Sequence, residues 1–304
     1  VANFQLSCRA VQILIDKEDK KSVMPTPLMI PPRPELLLQL QTILRSAEPN
    51  PGQMAELIKQ DVALYTSVLA IVNSPLFRRA QRIHSVDHAL SVLGMPRVAA
   101  LIQSVALRSS LDAEGHWQQF WDSATEVAVL CQCLAERLPH ISSNPVSADH
   151  AYSLGMMHDI GSAVMRTNYP DYQPWVRAQA NCNAAQTRKA ERERYATDRF
   201  ELAGRLAHNW FMPDSVAAAL ALQAHAQAAL MGKAQVSDDV KNANALLILA
   251  KDISQEYHRY WNFASRASLD RLLVRTLEHL ALPEHEYLDI KEDLVERLAT
   301  SELA

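Results

Sequence analysis

From Glu35 onward the apolar residues recur every three or four positions, as in LLLQLQTIL (36–44), MAELIKQ (54–60) and VALYTSVLAIV (62–72). That spacing gathers side chains on one face of an α-helix, whereas a half-buried strand alternates with period two. Period-two windows are few, and β-branched residues are scattered through Ala- and Leu-rich segments. The chain is therefore predicted to be all-α, with room for a sheet only in residues 1–30. Breaks fall at Pro49-Asn50-Pro51-Gly52, Asn73-Ser74-Pro75, Gly94 to Pro96, Pro139 to Pro145, Tyr169-Pro170, Pro213, Gly232 to Asp239 and Pro283. They divide the pattern into about a dozen helices. One long helix is expected from His116-Trp117 to Leu138. Three more are expected at 238–259, 265–281 and 284–300, the first with an apolar face at Leu246, Leu247, Leu249, Ala250 and Ile253.

The 304 residues suffice for one large or two ordinary domains. The pattern divides into an N-terminal segment, 1–29, a main region, 30–232, and C-terminal helices, 233–304, that cap or extend it. The main region splits near Gly115 into a first helical lobe, 30–112, and a second lobe, 113–232. In the first segment a charged cluster, Asp16 to Lys21, precedes the proline-rich MPTPLMIPPRP (24–34), which reads as an extended strap. In the first lobe Asn73 follows Leu69-Ala70-Ile71-Val72, a polar residue expected to be buried at a helix end where it satisfies free backbone groups.

Composition then removes several function classes. Lys plus Arg is 30 and Asp plus Glu 34, a net charge of −4 that supplies no general attraction to phosphate backbones. The seven glycines form neither GxGxxG nor GxxxxGK[ST], so dinucleotide and P-loop sites are not expected. No apolar run approaches the ~18 residues of a membrane span. The N-terminus lacks a charged segment followed by an apolar one, so export is not expected and a cytoplasmic location is. The four cysteines, Cys8, Cys131, Cys133 and Cys182, contain no C-x-x-C pair and read as buried reduced thiols.

The sharpest chemical signal is Gly155-Met156-Met157-His158-Asp159-Ile160-Gly161, an adjacent His and Asp read as lying within an apolar helix. Neighbouring side chains on a helix point about 100° apart, so the two would meet a metal only from its rim and would need ligands from other helices. A buried, hydrogen-bonded polar pair is the competing reading. Lesser candidates are His84 and His88, spaced i, i+4 for a helical metal pair or simply exposed, and 85–108, a helix-turn-helix or a core hairpin. VAALIQSVAL (98–107) is too apolar for a DNA groove, which favours the hairpin. Arg188 to Arg194 alternates charges at helical spacing and reads as a solvated face, and Trp117, Phe120 and Trp121 read as core.

HDIG resembles the HD superfamily of helical metal-dependent phosphohydrolases, and the longer pattern resembles its HD-related output domain family, HDOD. That pattern begins at Ile30-Pro31-Pro32-Arg33-Pro34 and runs through Ile58 to Leu64, Val72 to Pro75 and Ile83 to Gly94. It continues through Phe120-Trp121, His158 to Gly161, Glu191 and Glu201 to Pro213, about two thirds of the chain. The resemblance implies a degenerate HD-like second lobe. Set against the metal-dependent relatives, His158 and Asp159 remain, while the other ligand positions hold Ser123, Arg199, Gln223, Ala224 and Lys251. His225 and Asp252 lie one residue from such positions and keep a minority claim with His158 and Asp159. The relatives that cleave cyclic di-GMP have Lys after HDIG and a downstream GYP; this chain has Ser162 and no GYP. Two ligands do not hold a two-metal centre.

The resemblance accordingly implies a non-catalytic bacterial signal-transduction module without cofactor, acting through a regulatory protein partner or a nucleotide, with no membrane or nucleic-acid role. A phosphohydrolase with unorthodox ligands is the alternative, and a DNA-binding regulator a weaker one. Asp159 is expected to pair with Arg199 or Lys251, side chains supplying the charge that an ion supplies in the relatives, or else to accept bonds from backbone or water.

Overall fold

The computed structural model describes residues 35–73, 83–112, 117–138, 146–179, 182, 184–210, 212–261 and 271–302, and the chain is all-α, with no strand among the described residues. The proline-rich strap, Cys8, and any sheet within 1–30 lie outside them. The first helices are α1 (Glu35–Leu44), α2 (Pro51–Lys59), α3 (Val62–Val72), α4 (Val86–Leu93) and α5 (Met95–Leu111). Next come α6 (Gln118–Arg137), α7 (Ala148–Met157), α8 (Ile160–Asn168), α9 (Tyr172–Ala178), α10 (Ala184–Tyr195), α11 (Arg199–Asn209) and α12 (Asp214–Leu222). A 3-10 turn at Gln223–His225 leads into α13 (Ala226–Leu230), followed by α14 (Asp238–Trp261), α15 (Arg271–Leu280) and α16 (Glu284–Glu302).

Short polar side chains start several of these helices. Asp61 accepts from Leu64 N at 3.0 Å, Ser85 from His88 N at 3.1 Å, and Asp198 from Phe200 N and Glu201 N at 3.0 and 2.9 Å. Each satisfies donors that the first helical turn leaves open. At the other end of α3, half-buried Asn73 donates to Leu69 O and Ile83 O, both at 2.8 Å, and accepts from Ile83 N at 2.9 Å. One amide thus closes a helix and ties it to the segment that enters α4.

Helices α1 to α5 pack on one another and meet the rest through α5 against α7 and α8. The α4–α5 pair is a core hairpin: Val98, Leu101, Ile102 and Leu107 of α5 are all buried. Helices α6 and α7 run together closely because Gly155 has no side chain; a Cβ there would lie 2.5 Å from Ala128 Cα. The predicted apolar face of α14 is fully buried against α6, α7 and α12, while α15 and α16 pack on its other side. Among the described residues no helix is long and apolar enough to cross a membrane.

Four sequence readings need correction. Helices outnumber the expected dozen because breaks at His158-Asp159, Ala196 to Asp198 and Gln223 to His225 contain neither proline nor glycine; Ala196 bends the chain with φ of 57°. The stretch Arg188 to Arg194 is only partly a solvated face, since Arg188 and Glu191 are buried, 4% and 0% exposed. Cys182 is exposed rather than buried, whereas Cys131 is buried. His84 precedes α4 and is exposed, so it shares no helix with His88.

Candidate functional site

His158 and Asp159 do not lie inside one helix. They form the two-residue junction between α7 and α8, Asp159 taking φ −117° and ψ 15°. The chain therefore turns at the dipeptide, and both side chains reach a cavity of about 350 Å³. Its polar lining includes Arg199, Gln223, Asn244, Lys251 and Asp252; Leu247, Ile248, Leu272 and Leu273 form an apolar wall from α14 and α15.

Each candidate residue has a definite engagement. His158 Nδ1 lies 2.7 Å from Gly155 O, and because a carbonyl only accepts, Nδ1 carries the proton and Nε2 keeps its lone pair. Burial, reinforced by the Lys251 charge, pushes the imidazole down to about 4 against the opposing field of Asp159. The ring is neutral at pH 7. Asp159 Oδ1 accepts from the Ser162 hydroxyl at 2.5 Å. Gln223 Nε2 donates to His158 O at 2.8 Å and to Leu220 O at 3.2 Å, so it fixes the junction's backbone.

The cations behave differently from the sequence expectation. Arg199 turns its Nε to Glu191 Oε1 at 2.7 Å, and its own backbone N–H donates to Glu191 Oε2 at 3.1 Å. Glu191 also accepts from Tyr172 OH at 2.7 Å, yet burial still lifts its carboxyl above the ordinary range. Lys251 is half-buried; burial lowers its ammonium, Asp159 opposes the shift and Arg199 adds to it. Both cations act on Asp159 through the cavity, but the expected direct pair with Arg199 or Lys251 is not made among the described residues. The carboxylate on α10 takes Arg199 first, and Ser162 supplies Asp159's contact.

The remaining positions are dispersed. Ser123 is exposed on α6 and does not line the cavity, and Ala224 sits half-buried in the 3-10 turn with no side-chain donor. His225 Nε2 receives Arg188 Nη1 at 2.6 Å, and Arg188 Nε is held by Asp198 at 3.1 Å. Asp252 accepts from Tyr287 OH at 2.6 Å and Lys291 Nζ at 2.5 Å, which anchors α16 on α14. Two of the four minority ligands are thus engaged by cations. No group of three or more His, Cys, Asp or Glu side chains among the described residues is placed to hold a metal ion. The donors present do not fit a two-metal centre, since Arg199 and Lys251 line the same cavity as His158 and Asp159.

Gly161 explains how Arg199 comes so near. A Cβ on Gly161 would lie 1.7 Å from Arg199 O, so the first turn of α8 touches the start of α11 only because this residue is glycine. Sequence reading missed the roles of Ser162 and Glu191. Glu191 stands eight residues before Arg199 across an unsignalled turn, so nothing local marks them as partners.

An uncharacterized protein of Treponema pallidum (strain Nichols) is 28% identical over 143 residues; the match covers 47% of this chain and only 27% of that relative's length. Among solved structures, a protein of Shewanella amazonensis SB2B provisionally assigned as a phosphohydrolase is similar at 18% identity and TM-score 0.67, covering 96% of this chain and 97% of that one. A protein of Marinobacter aquaeolei VT8 provisionally assigned to signal transduction is similar at 20% identity and TM-score 0.68, covering 99% of this chain and 66% of that one. At these identities the structures share the fold. The HDOD domain family matches residues 30–226, which span the first helices and the His158-Asp159 junction; the chain belongs to the HDOD domain family.

Proposed function

We propose that the chain is a non-catalytic regulatory module of signal transduction, acting by binding a protein partner. The observation that carries this reading is the placement of Arg199 and Lys251 in the cavity beside His158 and Asp159. A hydrolytic two-metal centre needs anionic and neutral donors converging on an open position, and here two cations occupy that ground. Family membership and the provisional signalling assignment of the M. aquaeolei neighbour support the same reading by analogy of fold. In that reading the first lobe spans 30–112, the degenerate HD lobe 113–232, and 233–304 caps it, all in the cytoplasm.

One observation favours hydrolysis instead. His158 keeps an Nε2 lone pair beside Asp159, and the S. amazonensis neighbour carries its provisional phosphohydrolase assignment. A turnover assay separates the two. Cyclic dinucleotides and a generic phosphodiester, offered with Mn²⁺, should yield no product above the protein-free blank. Product formation that disappears in Asp159→Ala would overturn the regulatory reading.

A further inference from the structure

The failed fit to a metal has a chemical converse. Arg199 donates its Nε and its backbone N–H to Glu191, and its guanidinium carbon lies 5.9 and 5.8 Å from the Tyr172 and Phe200 ring centres, but its two terminal nitrogens find no hydrogen-bond acceptor among the described residues. Lys251 Nζ makes no hydrogen bond or ion pair among them either. Both heads belong to the lining of the one cavity. Cationic donors set back from bulk solvent cost free energy unless something accepts from them.

Among the described residues the protein's own acceptors do not meet this need. Asp159 takes the Ser162 hydroxyl, Asp252 takes Tyr287 and Lys291, and Glu191 is occupied by Arg199 and Tyr172. Resting on the regulatory reading, we propose that the cavity binds a small organic oxyanion, its phosphate or carboxylate group gripped by Lys251 Nζ and the terminal nitrogens of Arg199. An oxyanion accepts several charge-assisted bonds at once, and a guanidinium fork matches it in shape.

The other walls describe the rest of the ligand. At about 350 Å³ the cavity falls in the range of small-molecule sites and exceeds what an inorganic ion fills. The apolar wall of Leu247, Ile248, Leu272 and Leu273 suits a carbon body, and neutral His158 offers Nε2 to a hydroxyl or amine on it. Asp159, held by Ser162, disfavours a second anionic group near the α7–α8 junction. A compound with one oxyanion at one end and an apolar or hydrogen-bond-donating body satisfies all of these surfaces.

Thermal unfolding of the full chain tests this, with inorganic phosphate, butyrate, adenosine monophosphate and Mn²⁺ alone as probes. At least one oxyanion should raise the midpoint saturably. A response to phosphate and the nucleotide assigns a phosphate group, and a response to butyrate a carboxylate. Lys251→Gln should weaken the apparent affinity at least about ten-fold, because a charge-assisted contact is lost, while Lys251→Arg should retain most of it. If Lys251→Gln does not fold, Lys251→Met gives the same readout. The proposal is overturned if no oxyanion shifts the midpoint, if the shift survives in Lys251→Gln, or if Mn²⁺ alone produces it. No turnover enters the titration, so a flat result ends the anion site alone, whereas phosphodiester turnover ends the regulatory reading alone.

Discussion

Arg199 donates its Nε to Glu191 Oε1 at 2.7 Å, so the cation at a substituted ligand position answers to a carboxylate on α10 and not to Asp159. Glu191 is 0% exposed and also holds Tyr172 and the first backbone N–H of α11. One buried acid therefore fixes α9, α10 and α11 relative to one another.

Glu191→Ala is expected to be the costlier of two charge removals. It strands the Arg199 guanidinium and leaves Tyr172 OH without its acceptor, a loss of roughly 3–5 kcal/mol. Asp159→Asn keeps an acceptor for Ser162 and breaks no ion pair, and its cost should stay below about 1.5 kcal/mol. Urea unfolding midpoints of the two variants measure the order; Asp159→Asn matching or exceeding Glu191→Ala would reverse the assignment of Arg199's partner.

Gly161→Ala should lower stability by at least about 1–3 kcal/mol, the usual penalty of overpacking, because the new methyl meets backbone that cannot swing aside. Thermal unfolding reads this directly. The clash is with Arg199 O, so the variant should also weaken oxyanion binding, and an unchanged midpoint would show that α8 and α11 are not in this contact.

The pH dependence of stability follows from His158. Its ordinary value is 6.5 and the folded value about 4, so between these limits the unfolded chain binds the extra proton. Stability is then full above about pH 6.5 and falls as pH drops toward about 4, by up to about 3 kcal/mol from this group. Burial also lowers His150 and His279, which contribute in the same direction. Urea titrations at several pH values should show a shallower loss in His158→Gln than in the parent chain. Equal slopes would mean that the imidazole is not held neutral in the fold.

Asn73→Ala removes an amide that makes three main-chain hydrogen bonds, and a loss of about 1–3 kcal/mol is expected from the groups left open at the end of α3 and at Ile83. A midpoint within error of the parent would show that water replaces the amide fully.

What the sequence discloses and what it hides divide along a physical line. Period and proline breaks are local, so the buried face of α14 was readable, and Asn73 could be understood from its four apolar predecessors. The turn at His158-Asp159 and the left-handed Ala196 carry no such local mark. Pairing of charges is set by three-dimensional approach. Arg188, Glu191 and Arg192 have the spacing of a solvated helix face, but the turn through Ala196 folds Asp198, Arg199 and Glu201 back onto them and buries the acid between two helices. The substituted positions at Arg199 and Lys251 were visible from family resemblance, whereas their failure to close on Asp159 required the Ser162 and Glu191 contacts.

The most direct test of the account is the metal content of the purified chain after incubation with Mn²⁺, Fe²⁺ or Zn²⁺ and removal of unbound ions. With Arg199 and Lys251 lining the cavity, elemental analysis should find well below one ion per chain, and the same in His158→Ala. A two-metal stoichiometry that collapses in His158→Ala would contradict the account and restore the cavity as a hydrolytic centre.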